Sequence, residues 1–208
     1  MSSLTPESAQ EDLAFLRTLA RSGDGVQGPF GEAYLAGGLC YGGQMLLSAA
    51  QTLGWLPSTP LVGLAIGAGP TVLFIPLLII ALSHARKVTP TGVVGRTIAT
   101  VFSTIGMANL ALAAVIASVA LRQHSLTIWL IFPCAVFVLQ GAAWFVAFSL
   151  RKRAWLGLVA AGWVICALFM AWFIDQTVWY ITFGGIGMFA CMVAPGLVMM
   201  RLARRAAG

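Results

Sequence analysis

Long uninterrupted runs of apolar residues dominate the chain after residue 32. No Asp, Glu, Lys or Arg occurs between Ala33 and Ser83. Four further uncharged runs follow, at Thr97–Leu121, Ser125–Leu150, Ala154–Ile174 and Gln176–Met200. A helix needs about 20 apolar residues to cross the hydrocarbon core of a bilayer. Each run is therefore long enough for at least one membrane-spanning helix.

The first run is too long for a single helix, and its middle carries a turn signal. The segment WLPSTP, residues 55–60, combines two prolines with small polar residues that end one helix and begin another. We therefore predict six spans, at about 33–54, 60–83, 94–121, 125–150, 154–174 and 177–200. No segment alternates polar and apolar residues as a membrane barrel requires. The predicted fold is all-α: a polytopic membrane protein with six transmembrane helices in three hairpins, preceded by a short amphipathic helix.

The composition agrees with this pattern. The chain of 208 residues is 60% hydrophobic and 9% charged, whereas soluble domains are about 25% charged. Its net charge of +6 comes from basic clusters between predicted spans, so no nucleic-acid partner is needed to explain it. Such clusters favour the anionic lipid headgroups of a cytoplasmic membrane face.

The basic residues also predict an orientation. If the N-terminus is cytoplasmic, the outer turns contain one basic residue, Arg122, and the inner segments contain the other eleven. Those eleven are Arg17, Arg21, Arg86, Lys87, Arg96, Arg151, Lys152, Arg153, Arg201, Arg204 and Arg205. Positive charge concentrates on the cytoplasmic side of membrane proteins. We therefore expect both termini to be cytoplasmic, with a polar segment at 1–32, the bundle at 33–200 and a basic tail at 201–208.

The N-terminal segment contains one amphipathic pattern. TPESAQEDLAFLRTLARSGDG begins with a capping threonine and a first-turn proline, places its acids early and its arginines late, and ends in glycine. Leu13, Leu16 and Ala20 fall on one face of this predicted helix. Two interpretations stay open: the face rests on the inner membrane surface or the end of the bundle, or it docks a cytoplasmic protein.

The same segment carries a resemblance. DLAFLRTLA, residues 12–20, followed by a glycine-rich link into the first span, resembles the start of a group of small, largely uncharacterised multi-span bacterial inner-membrane proteins. The resemblance covers about a tenth of the chain and implies a bacterial membrane protein. It implies no catalytic residue.

Glycines at helical spacing predict where helices pack. Gly38 and Gly42 stand four residues apart in the first span, and Gly63 and Gly67 do the same in the second. Small residues at this spacing let helix backbones approach closely in lipid. A phosphate-binding loop is disfavoured because the flanks are apolar and lack its lysine and hydroxyl residues. We therefore predict packing faces at both glycine pairs.

Three amides lie in the central parts of predicted spans: Gln44, Asn109 and Gln140. An amide facing lipid is costly, so these side chains should point inward. One interpretation is hydrogen bonding between helices, which would serve packing. The other is a small polar pocket shared by three helices.

The sequence offers no constellation for catalysis or for metal binding. No acid or base lies at mid-membrane, and His84 and His124 fall on opposite sides of the predicted bundle. Hydrolase and metalloprotease motifs are missing, and the four cysteines form no CxxC pair. The sequence therefore predicts a non-enzymatic protein without cofactor or metal.

Two functions remain open. The first is an accessory, regulatory or scaffold subunit of the bacterial inner membrane that acts through protein partners, using its N-terminal helix and basic inner face. The alternative is a small transporter or channel for a neutral or weakly polar solute, lined by the three amides and proline-kinked helices.

Overall fold

The computed structural model describes residues 27–86 and 93–207. Its helices are α1 (Gln27–Thr52), α2 (Pro60–Arg86), α3 (Val93–Gln123), α4 (Leu126–Arg151), α5 (Ala154–Trp172), α6 (Thr177–Met188) and α7 (Ala194–Ala207). A π-helical turn, Phe189–Val193, joins α6 to α7 without a break. No strand occurs in these ranges. The predicted N-terminal helix with Leu13, Leu16 and Ala20 lies outside the described residues.

Five of these segments are long and apolar enough to cross a membrane. They are α2, α3, α4, α5 and the continuous stretch Thr177–Arg205, with mean hydropathies between 1.8 and 2.3. The prediction of an all-α membrane-embedded protein is thereby confirmed. Helix α1 is not among the five, because glycines, glutamines and tyrosines dilute its apolar residues.

The two ends of the bundle differ from the predicted boundaries. Helix α1 begins at Gln27, so its first turns lie inside the segment predicted to be polar and cytoplasmic. The predicted boundary followed the last charged residue, Glu32, but that carboxylate pairs with His84 of α2 at 2.8 Å. At the other end, α7 continues to Ala207 through most of the predicted basic tail.

Tight turns connect α1 to α2, α3 to α4, α4 to α5 and α5 to α6. Gly54 adopts a positive φ of 76° in the turn between α1 and α2, a conformation that glycine adopts without strain. Ser125 accepts a hydrogen bond from the backbone N–H of Ile128 and caps the start of α4. Lys152 takes a φ of 52° and donates its N–H to the Phe148 carbonyl at 2.7 Å, which ends α4.

The core lies among α1, α4, α5 and the α6–α7 segment. Helix α1 packs against α2, α6 and α7, and α4 packs against α3 and α5. The largest fully buried side chains are Trp144, Trp163, Met170 and Tyr180, from α4, α5 and α6. Helices α2 and α3 lie at the periphery, where α2 packs chiefly on α1 and α3 chiefly on α4.

Glycines of α1 form a seam with the last membrane segment. A Cβ atom added to Gly38 would lie 2.7 Å from Val193 Cγ2, and one added to Gly42 would lie 3.0 Å from the ring of Phe189. Backbone also approaches backbone at Gly196, where an added Cβ would meet the Leu35 nitrogen at 2.9 Å and the Gly31 carbonyl oxygen at 3.0 Å. Bare backbone is what allows α1 and α7 to come this close.

The second predicted glycine pair does not pack in this way. A Cβ added to Gly63 or Gly67 would meet no atom within 4 Å. Helix α2 instead turns Ile66 and Ala81, its two buried residues, toward the protein. Gly67 nevertheless lies beside α1, because its carbonyl oxygen accepts a hydrogen bond from Gln44 Nε2 at 3.2 Å. The packing role of Gly63 and Gly67 stays a prediction.

Candidate functional site

A buried hydrogen-bonded network joins α1 to α4. The Tyr34 hydroxyl donates to Gln140 Oε1 at 2.6 Å, and it accepts a hydrogen bond from Trp144 Nε1 at 3.0 Å. Tyr34 is 5% exposed and Trp144 is 2% exposed. Gln140 and Trp144 stand four residues apart, so they project from the same face of α4. One hydroxyl thus satisfies a donor and an acceptor that would otherwise be unpaired in an apolar core.

Aromatic rings hold this network in place. The Tyr34 ring meets the Trp144 ring edge-on at 5.4 Å, and Phe102 of α3 contacts Trp144 at 5.6 Å. Phe30, one turn before Tyr34, packs on Phe102 at 4.7 Å. Edge-to-face pairs of this kind stabilise beyond their buried area. The cluster fixes α1, α3 and α4 at one point near the start of α1.

A small cavity lies beside the aromatic cluster. Its volume is about 60 Å³, and its wall is apolar except for Arg151 at the end of α4. Gly95 borders it: this residue is buried, yet an added Cβ would meet no atom within 4 Å. Leu156 and Met199 close the cavity from α5 and α7. The space suits a small apolar group and does not form a pathway through the bundle.

The three predicted amides have separate surroundings. Gln44 Nε2 donates to the Gly67 carbonyl of α2 at 3.2 Å, while Gln140 accepts from Tyr34. Asn109 Oδ1 is buried and has no hydrogen-bond partner within the described ranges. No hydrogen bond in that part of the chain joins any two of these residues. Two of the three therefore bridge neighbouring helices, as the packing interpretation requires.

Tyr34 and Tyr180 are buried hydrogen-bonding residues that the sequence analysis did not single out. They are 5% and 2% exposed. The Tyr180 hydroxyl donates to the Leu130 carbonyl at 2.7 Å, three residues before Pro133 of α4. This hydrogen bond joins α6 to α4. For Tyr34 a signal did exist, since it stands four residues before Gly38 on the same packing face.

The described residues contain no group of three His, Cys, Asp or Glu side chains that could hold a metal ion. The assembly of long apolar helices around a buried tyrosine network defines the chain as an all-helical, membrane-embedded protein. No protein-family model, curated protein or solved structure matches it. The resemblance of residues 12–20 to bacterial inner-membrane proteins therefore stays a prediction.

Removing the Tyr34 hydroxyl tests the network. Tyr34→Phe leaves Gln140 and the Trp144 indole without partners, so we expect a loss of about 1–2 kcal/mol in the free energy of unfolding. Unfolding can be followed by titrating detergent-solubilised protein with sodium dodecyl sulfate. The matched control is Tyr41→Phe, because Tyr41 contacts Phe74 through its ring and makes no side-chain hydrogen bond in the described chain. Equal losses for the two variants would contradict a structural role for the network.

Proposed function

We propose that the chain is a six-span protein of a bacterial inner membrane with both termini in the cytoplasm. In this proposal α1 is a span in addition to the five segments described above. Its 26 residues make a helix of about 39 Å, longer than the hydrocarbon core. Its antiparallel packing against α2 and α7 supports this assignment, since a helix surrounded by protein tolerates more polar residues than one facing lipid. The charge distribution supports the orientation, because eleven of the 12 basic residues fall on one side of such a bundle.

We infer that the protein acts as a non-enzymatic accessory, regulatory or scaffold subunit through contacts with other membrane proteins. The observation that carries this proposal is the peripheral position of α2, which packs chiefly against one helix. Its exposed side chains include Leu61 and Leu64, which are 76% and 66% accessible. Gly63 and Gly67 leave open space beside them for an added Cβ, although the Gly67 carbonyl accepts a hydrogen bond from Gln44 of α1. Small residues beside large apolar ones are typical of surfaces that receive a second transmembrane helix.

The N-terminal segment offers a second contact in this proposal. Leu13, Leu16 and Ala20 would dock a cytoplasmic portion of the same partner, while the basic inner segments bind anionic headgroups. The two contacts together would hold a partner both within the membrane and at its cytoplasmic surface. No nucleic acid or cofactor enters this proposal.

A transporter or channel for a neutral solute has less support. It would need Gln44, Asn109 and Gln140 to line a shared path, whereas the first and third are engaged with different helices. The cavity of about 60 Å³ lies beside the Tyr34 network and is lined mainly by apolar side chains. The geometry thus favours packing roles for the polar residues.

Bulky residues on α2 test the subunit proposal. We expect the Gly63→Leu/Gly67→Leu double variant to insert and fold normally, because the added side chains meet open space. It should nevertheless lose the partner that the natural chain retains, since leucine keeps two helix backbones apart. Native mass spectrometry of gently extracted membranes measures this as loss of a second protein at fixed stoichiometry.

The control for that experiment is Gly106→Leu. Gly106 lies on the exposed side of α3 and is equally open, so this variant should keep the partner. If the natural chain is extracted only as a monomer or a homo-oligomer, the subunit proposal fails.

A further inference from the structure

Two cysteine thiols meet inside the bundle. Cys166 comes from α5 and Cys191 from the π-helical turn, and both are free. Both sulfur atoms lie in the interface between α5 and the segment formed by α6 and the π-helical turn. Cys191 is 5% exposed, whereas Cys166 is partly exposed. The pair is therefore embedded between helices but can be reached from one side.

Two glycines leave space for the two sulfur atoms, and each glycine lies opposite the cysteine of the other helix. Gly162 precedes Cys166 by one turn, and Gly187 precedes Cys191 by one turn. Because α5 and α6 are antiparallel, each glycine faces the other helix's cysteine. A Cβ added to Gly162 would lie 2.8 Å from Cys191 Sγ, and one added to Gly187 would lie 3.0 Å from Cys166 Sγ. Any side chain at either glycine would push a sulfur atom out of the shared space.

The π-helical turn contributes to this meeting. A π-turn widens the helix locally and rotates the residues that follow it, and such turns are frequent at functional sites. Here it spans Phe189–Val193, with Cys191 at its centre. The backbone irregularity and the cysteine pair thus coincide.

The surroundings limit the chemistry available to the pair. Helix α5 and the stretch 177–193 contain no charged side chain and no histidine. Metal binding would hold a thiolate permanently, and its negative charge would stay uncompensated in this apolar setting. Disulfide formation also passes through a thiolate, but only transiently. A disulfide is uncharged, and so is the pair of thiols from which it forms. Oxidation that removes protons together with electrons is the reaction that suits this environment.

We propose that Cys166 and Cys191 form a redox-active pair that a lipid-soluble quinone oxidises to a disulfide. Both S–H bonds break and one S–S bond forms, so the pair gives up two electrons and two protons. The quinone accepts them, and its two carbonyl groups become the two hydroxyls of a hydroquinone. A quinone fits as the acceptor because it dissolves in lipid and can approach Cys166 from the membrane, whereas charged disulfide oxidants cannot enter. This reaction is independent of the partner proposed above.

The experiment uses the full-length natural chain in detergent with added lipid. It is treated first with diamide, a general thiol oxidant, and in a second sample with decylubiquinone. Free thiols are counted by alkylation after denaturation, and linked peptides are identified by mass spectrometry. We expect two of the four cysteines to become protected, a Cys166–Cys191 peptide to form with either oxidant, and one equivalent of decylubiquinone to be reduced. Cys191→Ala should abolish quinone reduction, whereas Cys40→Ala should leave it unchanged.

Three results would overturn the proposal. If treatment with diamide protects no thiol, the two sulfur atoms cannot form a bond. If a linked peptide contains Cys40 or Cys134, the proposed pairing is wrong. A disulfide that forms with diamide but not with decylubiquinone rules out the quinone as acceptor. Because the first measurements need no substitution, a variant that fails to fold cannot obscure them.

Discussion

Replacing Gly196 with alanine should lower the free energy of unfolding by about 3 kcal/mol, near the upper end of overpacking effects in close-packed cores. The new methyl group would lie 2.9 Å from the Leu35 nitrogen and 3.0 Å from the Gly31 carbonyl oxygen. Both contacts are backbone atoms, so no side chain can move aside, and α1 and α7 must separate. Titration with sodium dodecyl sulfate, followed by circular dichroism, measures the loss.

The matched controls are Gly63→Ala and Gly67→Ala. These glycines are also within a helix, but an added Cβ meets open space, so alanine should be neutral or stabilising by up to about 1 kcal/mol through its helix propensity. The contrast separates crowding from a general effect of adding a methyl group. If Gly196→Ala is as stable as either control, the close approach of α1 and α7 is not a feature of the folded protein.

Trp163→Ala should cost about 4 kcal/mol, because it opens a large cavity at the centre of the bundle. Trp163 is 1% exposed and packs edge-on against Phe137 at 4.7 Å. The Cβ atom of Trp163 is 3.4 Å from the position that a Cβ on Gly141 would occupy. The side chain therefore fills the space between α4 and α5, and the same sodium dodecyl sulfate titration reports its removal.

Replacing Trp163 with phenylalanine separates the effect of side-chain volume on stability from the effect of hydrogen bonding. The Trp163 indole nitrogen is buried without a partner in the described chain, so Trp163→Phe should cost less than about 2 kcal/mol. Trp144→Phe should cost more than Trp163→Phe, since the Trp144 nitrogen donates to Tyr34. The reverse order would contradict the assignment of hydrogen bonds to these two tryptophans.

Apolar runs and turn residues were enough to locate the described helices. The predicted start at residue 60 matches Pro60 of α2, and the predicted start at 154 matches Ala154 of α5. The errors are at the start of α1 and the end of α7. At α1, a rule that ends spans at charged residues could not foresee the contact between Glu32 and His84. A charge at the end of a helix is compatible with continued helix when another helix supplies its partner.

The candidate site was harder to predict than the fold. Gln140 was identified because an amide is conspicuous in an apolar helix, but its partner Tyr34 was not singled out. Which face of a helix meets protein depends on contacts distant in sequence; Tyr34 and Gln140 are 106 residues apart. The same limit explains the two glycine pairs, since identical spacing packs at Gly38 and Gly42 and stays open at Gly63 and Gly67.

The seam between α1 and α7 has a consequence for biogenesis. Gly31 and Leu35 leave the ribosome about 160 residues before Gly196, which is roughly 8–32 s at bacterial and eukaryotic rates of synthesis. Throughout that interval α1, which is not among the five segments apolar enough to cross a membrane, lacks α4 for Tyr34 and α7 for its bare glycines. The hairpin of α4 and α5, by contrast, can close as soon as it is made. During membrane insertion, the packing face of α1 therefore has to be kept from other contacts until α7 has been synthesised.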